Sequence, residues 1–288
     1  MSETLCKYVS SRGILKSCDI HDTSPISSSS LIRNYIPSEI KDGSTIYICT
    51  PAIPTFLKIF EQTTSKFILV TGDCDVEAIN MFETHQDFFK FLESDNLIHW
   101  YAQNMVVLHP KITQIPIGLD YHTLSERDHE CGPKMSPTEQ ELLLPNTEKY
   151  RYPKAYANFQ FTLSGKYGYD RQDAIDQISK ELVFYEPRKL KRTQTWERQS
   201  KFTFVISPHG NGLDCHRTWE ALTIGCIPIV KSSPIDSLYT DLPVLIVRDW
   251  SDITQNLMYE TISEFKSTEF NYDKLTLDYW VSKIRSGF

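Results

Sequence analysis

A chain of 288 residues has room for two domains of ordinary size, each with its own core, and 40% hydrophobic with 23% charged residues is the composition of a soluble globular protein. A formal net charge of −7 argues against a nucleic-acid backbone as the main partner, because phosphate neutralisation needs a basic surface. Seven cysteines without a CxxC pair point to reduced thiols in a cytoplasmic setting rather than to a disulfide framework or a zinc ribbon, and no apolar run approaches the roughly 20 residues that span a bilayer.

The first residues carry no signal-peptide core, so any membrane anchor is expected from a partner. The start of the chain, including the serines at 27–30, is weakly patterned and expected to be partly irregular. A strand is predicted over 45–50, and Pro54 introduces a helix over 55–62. A buried strand over 66–71 ends in Gly72-Asp73-Cys74-Asp75, before a Phe-rich helix over 76–92. Residues 98–104 lead into a short strand over 105–108, and another over 112–117 ends in Gly118-Leu119-Asp120-Tyr121-His122. Residues 123–153 read as a connection with at most one short helix. A strand over 155–162 and a helix over 169–182 follow.

Then comes the most informative run. An apolar stretch over 202–206 meets Ser207-Pro208-His209-Gly210-Asn211-Gly212, the turn opens a helix that stops at Gly225, and Cys226-Ile227-Pro228-Ile229-Val230 reads as a second strand. Strand, glycine turn, helix and strand make a βαβ unit of a parallel sheet. A strand over 243–247, a helix over 250–265 and an amphipathic stretch over 272–284 complete the chain. The class is therefore α/β, with two Rossmann-like α/β/α domains facing a cleft. The expected division is 1–148 and 149–269, with a helix in 270–288 packing back on the first domain.

Ligands bind beyond the carboxyl ends of parallel strands. Gly210 and Gly212 are expected to take positive φ and let the backbone approach a ligand. Free amides at Gly212 and Leu213 and the helix dipole suit a phosphate. His216 and Glu220 share a helix face, Arg217 can grip phosphate, and Glu220 can accept from two hydroxyls. Asp214 in the same turn would repel an anion, and neither the GxGxxG nor the Walker spacing is present, so an ordinary polar helix start is the competing reading. The cluster Arg188, Lys189, Lys191, Arg192, Arg198 and Lys201 is either a solvated face or a local attractor for a polyanion. His209, Cys215 and His216 are too close in sequence to converge on one ion, so no metal site is assigned. Other strand ends deliver Asp73 and Asp75, Gln103 and Asn104, Asp120 and His122, and Lys231.

The segment 202–250, with Ile206-Ser207-Pro208-His209-Gly210-Asn211-Gly212 and His216-Arg217-Thr218-Trp219-Glu220, resembles exostosin-like glycosyltransferases, and more narrowly the compact forms of large DNA viruses of algae and amoebae. The segments 69–75 and 115–122 are similar to the same group, and the likeness spans roughly 45–265. The resemblance implies a GT-B architecture and inverting transfer without a metal cofactor, from a nucleotide sugar to an oligosaccharide or glycoprotein acceptor. UDP-xylose is the leading donor. The long N-terminal extension and membrane anchor of the animal members have no counterpart in this sequence, which leaves donor and acceptor open.

The mechanism expected from both readings places the donor on the second domain. Arg171, Ser207, His209, Gly210, Asn211, Gly212, Leu213, His216, Arg217, Glu220 and Lys231 are its candidate contacts. Asp73 is the first candidate base, with His122, Asp120 and His209 in reserve. Asp75, Gln103, Asn104 and Tyr121 are assigned to the acceptor side. Each base has a structural alternative: Asp73 as a helix cap, Asp120 and His122 as turn formers, and His209 as an orienter of its loop. A GDP-fucose transferase and a non-catalytic nucleotide-sugar or carbohydrate-binding protein are the rival functions. A serine hydrolase is set aside because Ser207, His209 and Asp214 lie too close in sequence and no GxSxG occurs.

Overall fold

The computed structural model describes residues 2–32, 37–145, 150–160 and 165–286. They form two parallel sheets with helices on their faces, two Rossmann-like units set edge to edge. The first sheet holds β1 (Ser44–Cys49), β2 (Phe67–Gly72), β3 (Leu97–Ala102) and β4 (Ile112–Gln114), in spatial order β1-β2-β3-β4. The second holds β5 (Tyr152–Ala157), β6 (Val183–Tyr185), β7 (Phe202–Ile206), β8 (Ile227–Lys231) and β9 (Leu245–Val247), in order β6-β5-β7-β8-β9. The α-helices are α1 (Ser11–Ser17), α2 (Ile53–Phe60), α3 (His85–Leu92), α4 (His122–Glu126), α5 (Pro137–Leu142), α6 (Tyr169–Gln177), α7 (Arg192–Gln199), α8 (His216–Thr223), α9 (Gln255–Ser267) and α10 (Leu277–Ser286).

Strand alternation sorts the core. In β2 every residue is buried, and Phe67 and Leu69 face one cluster while Ile68 and Val70 face another. The first cluster is aromatic: Phe82, Phe88, Phe91 and Trp100 meet edge to face or tilted, and Phe56 packs edge-on to Phe67. The second runs across both units: Ile14, Tyr47 and Tyr101 share it with Trp219, Leu222 and Tyr239, and with Leu277, Trp280 and Ile284 of α10. Tyr101 donates its hydroxyl to the Lys283 carbonyl at 2.8 Å, tying α10 to β3. The two lobes therefore rest on shared apolar surface.

Several boundaries differ from expectation. The strand falls earlier than expected, as β3 over Leu97–Ala102, whereas 105–108 are irregular. The expected helix over 76–92 splits into a 3-10 turn at Ala78–Met81 and the short α3, which Thr84 caps through the Asp87 amide. β5 starts at Tyr152, and Phe161 and Thr162 of the predicted strand lie outside the described residues. β6, only three residues long, gives no periodic signal. The seven-residue α1 is also short and has no counterpart among the expected elements, although Ser10 caps it through the Gly13 amide. Gly225 does end its helix as expected, at φ +80°, with Cys226 N donating to Ala221 O.

Candidate functional site

The order β6-β5-β7 marks the place where the chain stops adding strands on one side of β5 and crosses to the other. Such a switch point opens a crevice beyond the strand ends. Here the crevice lies between the segment after β5, with Phe159 and Gln160, and the segment after β7, 207–215. Two arginines fill its floor. Arg171, from the first turn of α6, donates from Nε to His209 O at 3.1 Å and from Nη1 to Gln160 O at 2.7 Å. Arg217, from α8, donates to Pro208 O at 3.1 Å and Ser207 Oγ at 3.3 Å. Both guanidiniums lie over the Phe159 ring, at 6.0 and 5.2 Å. Burial and the neighbouring Arg217 pull Arg171 down to about 10, and burial also lowers Arg217. Among the described residues neither has a carboxylate at ion-pair distance. Two adjacent cations without a carboxylate partner can attract an anion.

His209 follows β7 and turns to Asp170, with Nδ1 3.1 Å from Oδ2, while its own amide donates to the same oxygen at 2.8 Å. Trp250 Nε1 donates to the other Asp170 oxygen at 2.7 Å. These bonds overcome the effect of burial and hold the Asp170 carboxyl below its usual range. Beside the arginines opens a pocket of about 650 Å³, lined by Asn158, Phe159, Glu186, Arg188, Arg192 and Glu220 among others. Carboxylates and an amide near a cationic floor suit the hydroxyls and base of a nucleoside.

Across the cleft, His122 opens α4 with Nδ1 3.0 Å from Asp120 Oδ1. Asp120 also takes an ion pair at 2.5 Å from Arg192, which joins the lobes. Despite burial, His216, Arg192 and His122 hold Asp120 well below the usual carboxylate range. Burial moves His122 below the usual histidine range; Asp120 opposes this and His216, with ring centroids 6.4 Å apart, adds to it. With Nδ1 committed to Asp120, Nε2 is the nitrogen left to accept a proton.

The other candidates fall into place around this frame. Asp73 sits at φ +55°, buried, with Oδ1 accepting from Ser27 at 2.9 Å and Oδ2 3.0 Å from Arg12 Nε. That last contact is ionic rather than a directed hydrogen bond. No α-helix follows for Asp73 to cap. Gln103 is 0% exposed and its amide is consumed by Asp73 N, Ser11 and Pro116 O, so it belongs to the core and not to an acceptor surface. Asn104, also buried, accepts from Asp214 N at 3.0 Å and donates to Cys74 O. Tyr121 is buried and donates to Glu141 at 2.8 Å. None of the three is free for an acceptor: Gln103 and Tyr121 bond within the first lobe, and Asn104 bonds across to the second.

The glycine turn is corrected as well. Neither Gly210 nor Gly212 takes positive φ. A side chain at 212 would meet Asn104 Nδ2 and Asp75 O at 2.9 Å, so that glycine permits close approach of the other lobe. α8 begins only at His216, Leu213 is buried in the shared core, and Asp214 N is taken by Asn104. Asp214 accepts from Ile117 N at 2.8 Å and Trp219 Nε1 at 2.8 Å, and serves as an interlobe staple. His216 Nδ1 lies 2.7 Å from Gly118 O. Lys231 leaves the crevice for Asp249, 3.5 Å away. Asp75 and Asn211 line a separate interlobe pocket of about 510 Å³ with Lys166 and Tyr167. Arg12, Asp170 and Phe159 were missed by sequence reasoning; only Asp170, beside Arg171 at a helix start, offered a local signal.

Among the described residues no three His, Cys, Asp or Glu side chains cluster as a metal site, and no helix is long and apolar enough to cross a membrane. No protein-family model and no curated protein matches the sequence. Among solved structures the chain is similar to that of Arabidopsis thaliana UGT89C1 complexed with UDP, at TM-score 0.34 and 12% identity, over 87% of this chain and 74% of that one.

Proposed function

We propose that this protein is a glycosyltransferase that moves a sugar from a nucleotide donor to an acceptor hydroxyl across the interlobe cleft. The observation that carries the reading is the Arg171–Arg217 pair, two partly desolvated cations without a carboxylate partner among the described residues, at the switch point of the second sheet. Opposite stands a histidine with a carboxylate behind it. In this reading the nucleoside occupies the 650 Å³ pocket, with Glu186 and Glu220 accepting from its hydroxyls. The diphosphate lies on Arg217, with Arg171 behind it.

His122 Nε2 takes the acceptor hydroxyl proton as that oxygen bonds to the anomeric carbon. The anomeric carbon–phosphate oxygen bond breaks on the opposite side, and its electron pair leaves with the diphosphate. The arginines neutralise the charge that develops there. Back-side displacement inverts the anomeric centre, as the exostosin-like resemblance also implies. UDP-xylose is the first donor to test, on that resemblance alone. The deciding experiment is a nucleotide-sugar panel read by thermal shift and by mass spectrometry of glycosylated acceptors. The reading expects one donor to raise the melting temperature and to be consumed. Arg217→Ala should lower kcat/KM by about 10²-fold, the scale of one lost charge-stabilising donor. Donor binding without turnover on any acceptor would favour a carbohydrate-binding protein, and unchanged kinetics in Arg217→Ala would remove the diphosphate from this floor.

A further inference from the structure

A separate cavity of about 230 Å³, which shares no lining residue with the pocket beside the arginines, is not used by the transfer reaction. Its walls come from three places: Thr113 and Gln114 of β4, Ser237 and Leu238 of the second lobe, and the C-terminal segment with Lys274, Tyr279, Trp280 and Lys283. No aspartate or glutamate lines it. Lys274 is buried, and its ammonium reaches the Thr240 carbonyl. Lys283 lies over the Tyr279 and Trp280 rings, at 5.9 and 5.8 Å. Among the described residues neither lysine has a carboxylate at ion-pair distance.

The electrostatics agree with the geometry. Burial pulls Lys274 below the usual lysine range, Asp241 opposes that and the Lys283 charge adds to it. Burial and the same Lys283 charge lower His99, whose Nε2 lies 2.8 Å from Thr113 Oγ1 on the cavity wall. Positive charge in a recess whose walls carry no carboxylate attracts a counter-anion, and the aromatic rings offer a face for an apolar body. The volume exceeds what a bare ion needs, since one water takes about 30 Å³ in the liquid.

We propose that this cavity, bounded by Lys274, Lys283, Thr113 and the Trp280 ring, binds a small phosphate monoester with a ring or short apolar group. The site sits where the lobes are pinned, because Gln114 donates to Pro234 O at 2.9 Å and accepts from Ser237 Oγ at 2.5 Å. A ligand there touches both lobes and biases their relative placement.

The probe is phenyl phosphate, titrated against the full chain while lysine acetylation is mapped by mass spectrometry. Lys283 should become protected in a saturable way, with the same protection in Arg217→Ala, which disables the other anion site. Lys283→Met should weaken phenyl phosphate binding in the Arg217→Ala background about tenfold, as loss of one charge-assisted contact would. Lys283→Arg should keep it, which controls for folding. Unchanged Lys283 reactivity at saturating probe, equal affinity in Lys283→Met, or loss of the protection in Arg217→Ala would each overturn the proposal.

Discussion

A histidine that accepts a proton at neutral pH must enter the reaction uncharged. His122 meets that condition because burial lowers it from the ordinary 6.5, against the pull of Asp120. Its proton-accepting form therefore predominates above about 6.5, and kcat/KM should fall on the acid side with an apparent pKa below 6.5. His122→Asn should lose that acid limb and drop kcat by roughly 10²–10⁴-fold, with donor affinity by calorimetry nearly unchanged. Asp73 separates from this role by its surroundings. Its carboxylate is held by Arg12 and Ser27 in a buried site, so Asp73→Asn leaves the buried guanidinium only the more exposed Glu126, 3.6 Å away, as counter-charge. That variant should lose about 3–5 kcal/mol in denaturant unfolding. The kcat of its folded fraction should fall by less than about tenfold, where a lost base costs at least about 10²-fold.

At the scale of one element, the turn between β7 and α8 does two jobs. Its first half, Ser207 to Gly210, holds the arginines; its second half, Gly212 to Asp214, grips the other lobe. Asp214 is the centre of the grip. Burial pushes its carboxyl up to about 6 against the bonds from Ile117 N and Trp219. The folded value lies above the unfolded one near 3.8, so the associated stability is full below about 3.8 and fades as pH rises through about 6. Unfolding measured at several pH values should therefore show wild type losing stability relative to Asp214→Asn across that window. Asp214→Ala leaves the Ile117 amide and the Trp219 indole without an acceptor. It should cost about 2–6 kcal/mol at pH 5, from one to three for each orphaned group.

For the whole molecule, the lobes meet through a short set of polar contacts over a shared apolar core. Asp120–Arg192 closes one side of the cleft and Glu77 with Lys166 and Tyr167 the other. Burial acts to raise Glu77, but Lys166 and Tyr167 overcome it and keep the carboxyl below its usual range. Tyr167 in turn packs near the His209 ring, with centroids 5.8 Å apart, so this clasp reaches the segment that holds the two arginines. Glu77→Gln should speed donor dissociation by about two- to fivefold in stopped flow, the scale of one solvent-screened ion pair, with the melting temperature almost unchanged.

What was legible in the sequence follows from locality. Runs such as Phe67-Ile68-Leu69-Val70 declare a strand buried on both faces, and Gly225 declares the end of its helix, because each needs only its own neighbours. The α/β class and the crevice at 207–217 came from such runs. Short elements gave no period to read, so α1 and β6 appeared only in the structure. The fate of strand-end polar groups was undecidable from spacing. Gln103 and Asn104 look like ligand contacts in the sequence, yet they bond across 92 and 110 residues of chain, and Asp214, which reads as a helix-start residue, bonds across 97. Asp73 and His122 are both candidate bases by position, and Arg12, 61 residues before one of them, separates their roles. Propensity and pattern are properties of a segment; which buried group finds which partner is a property of the closed molecule, since a desolvated donor or acceptor must be matched by whatever the fold brings alongside.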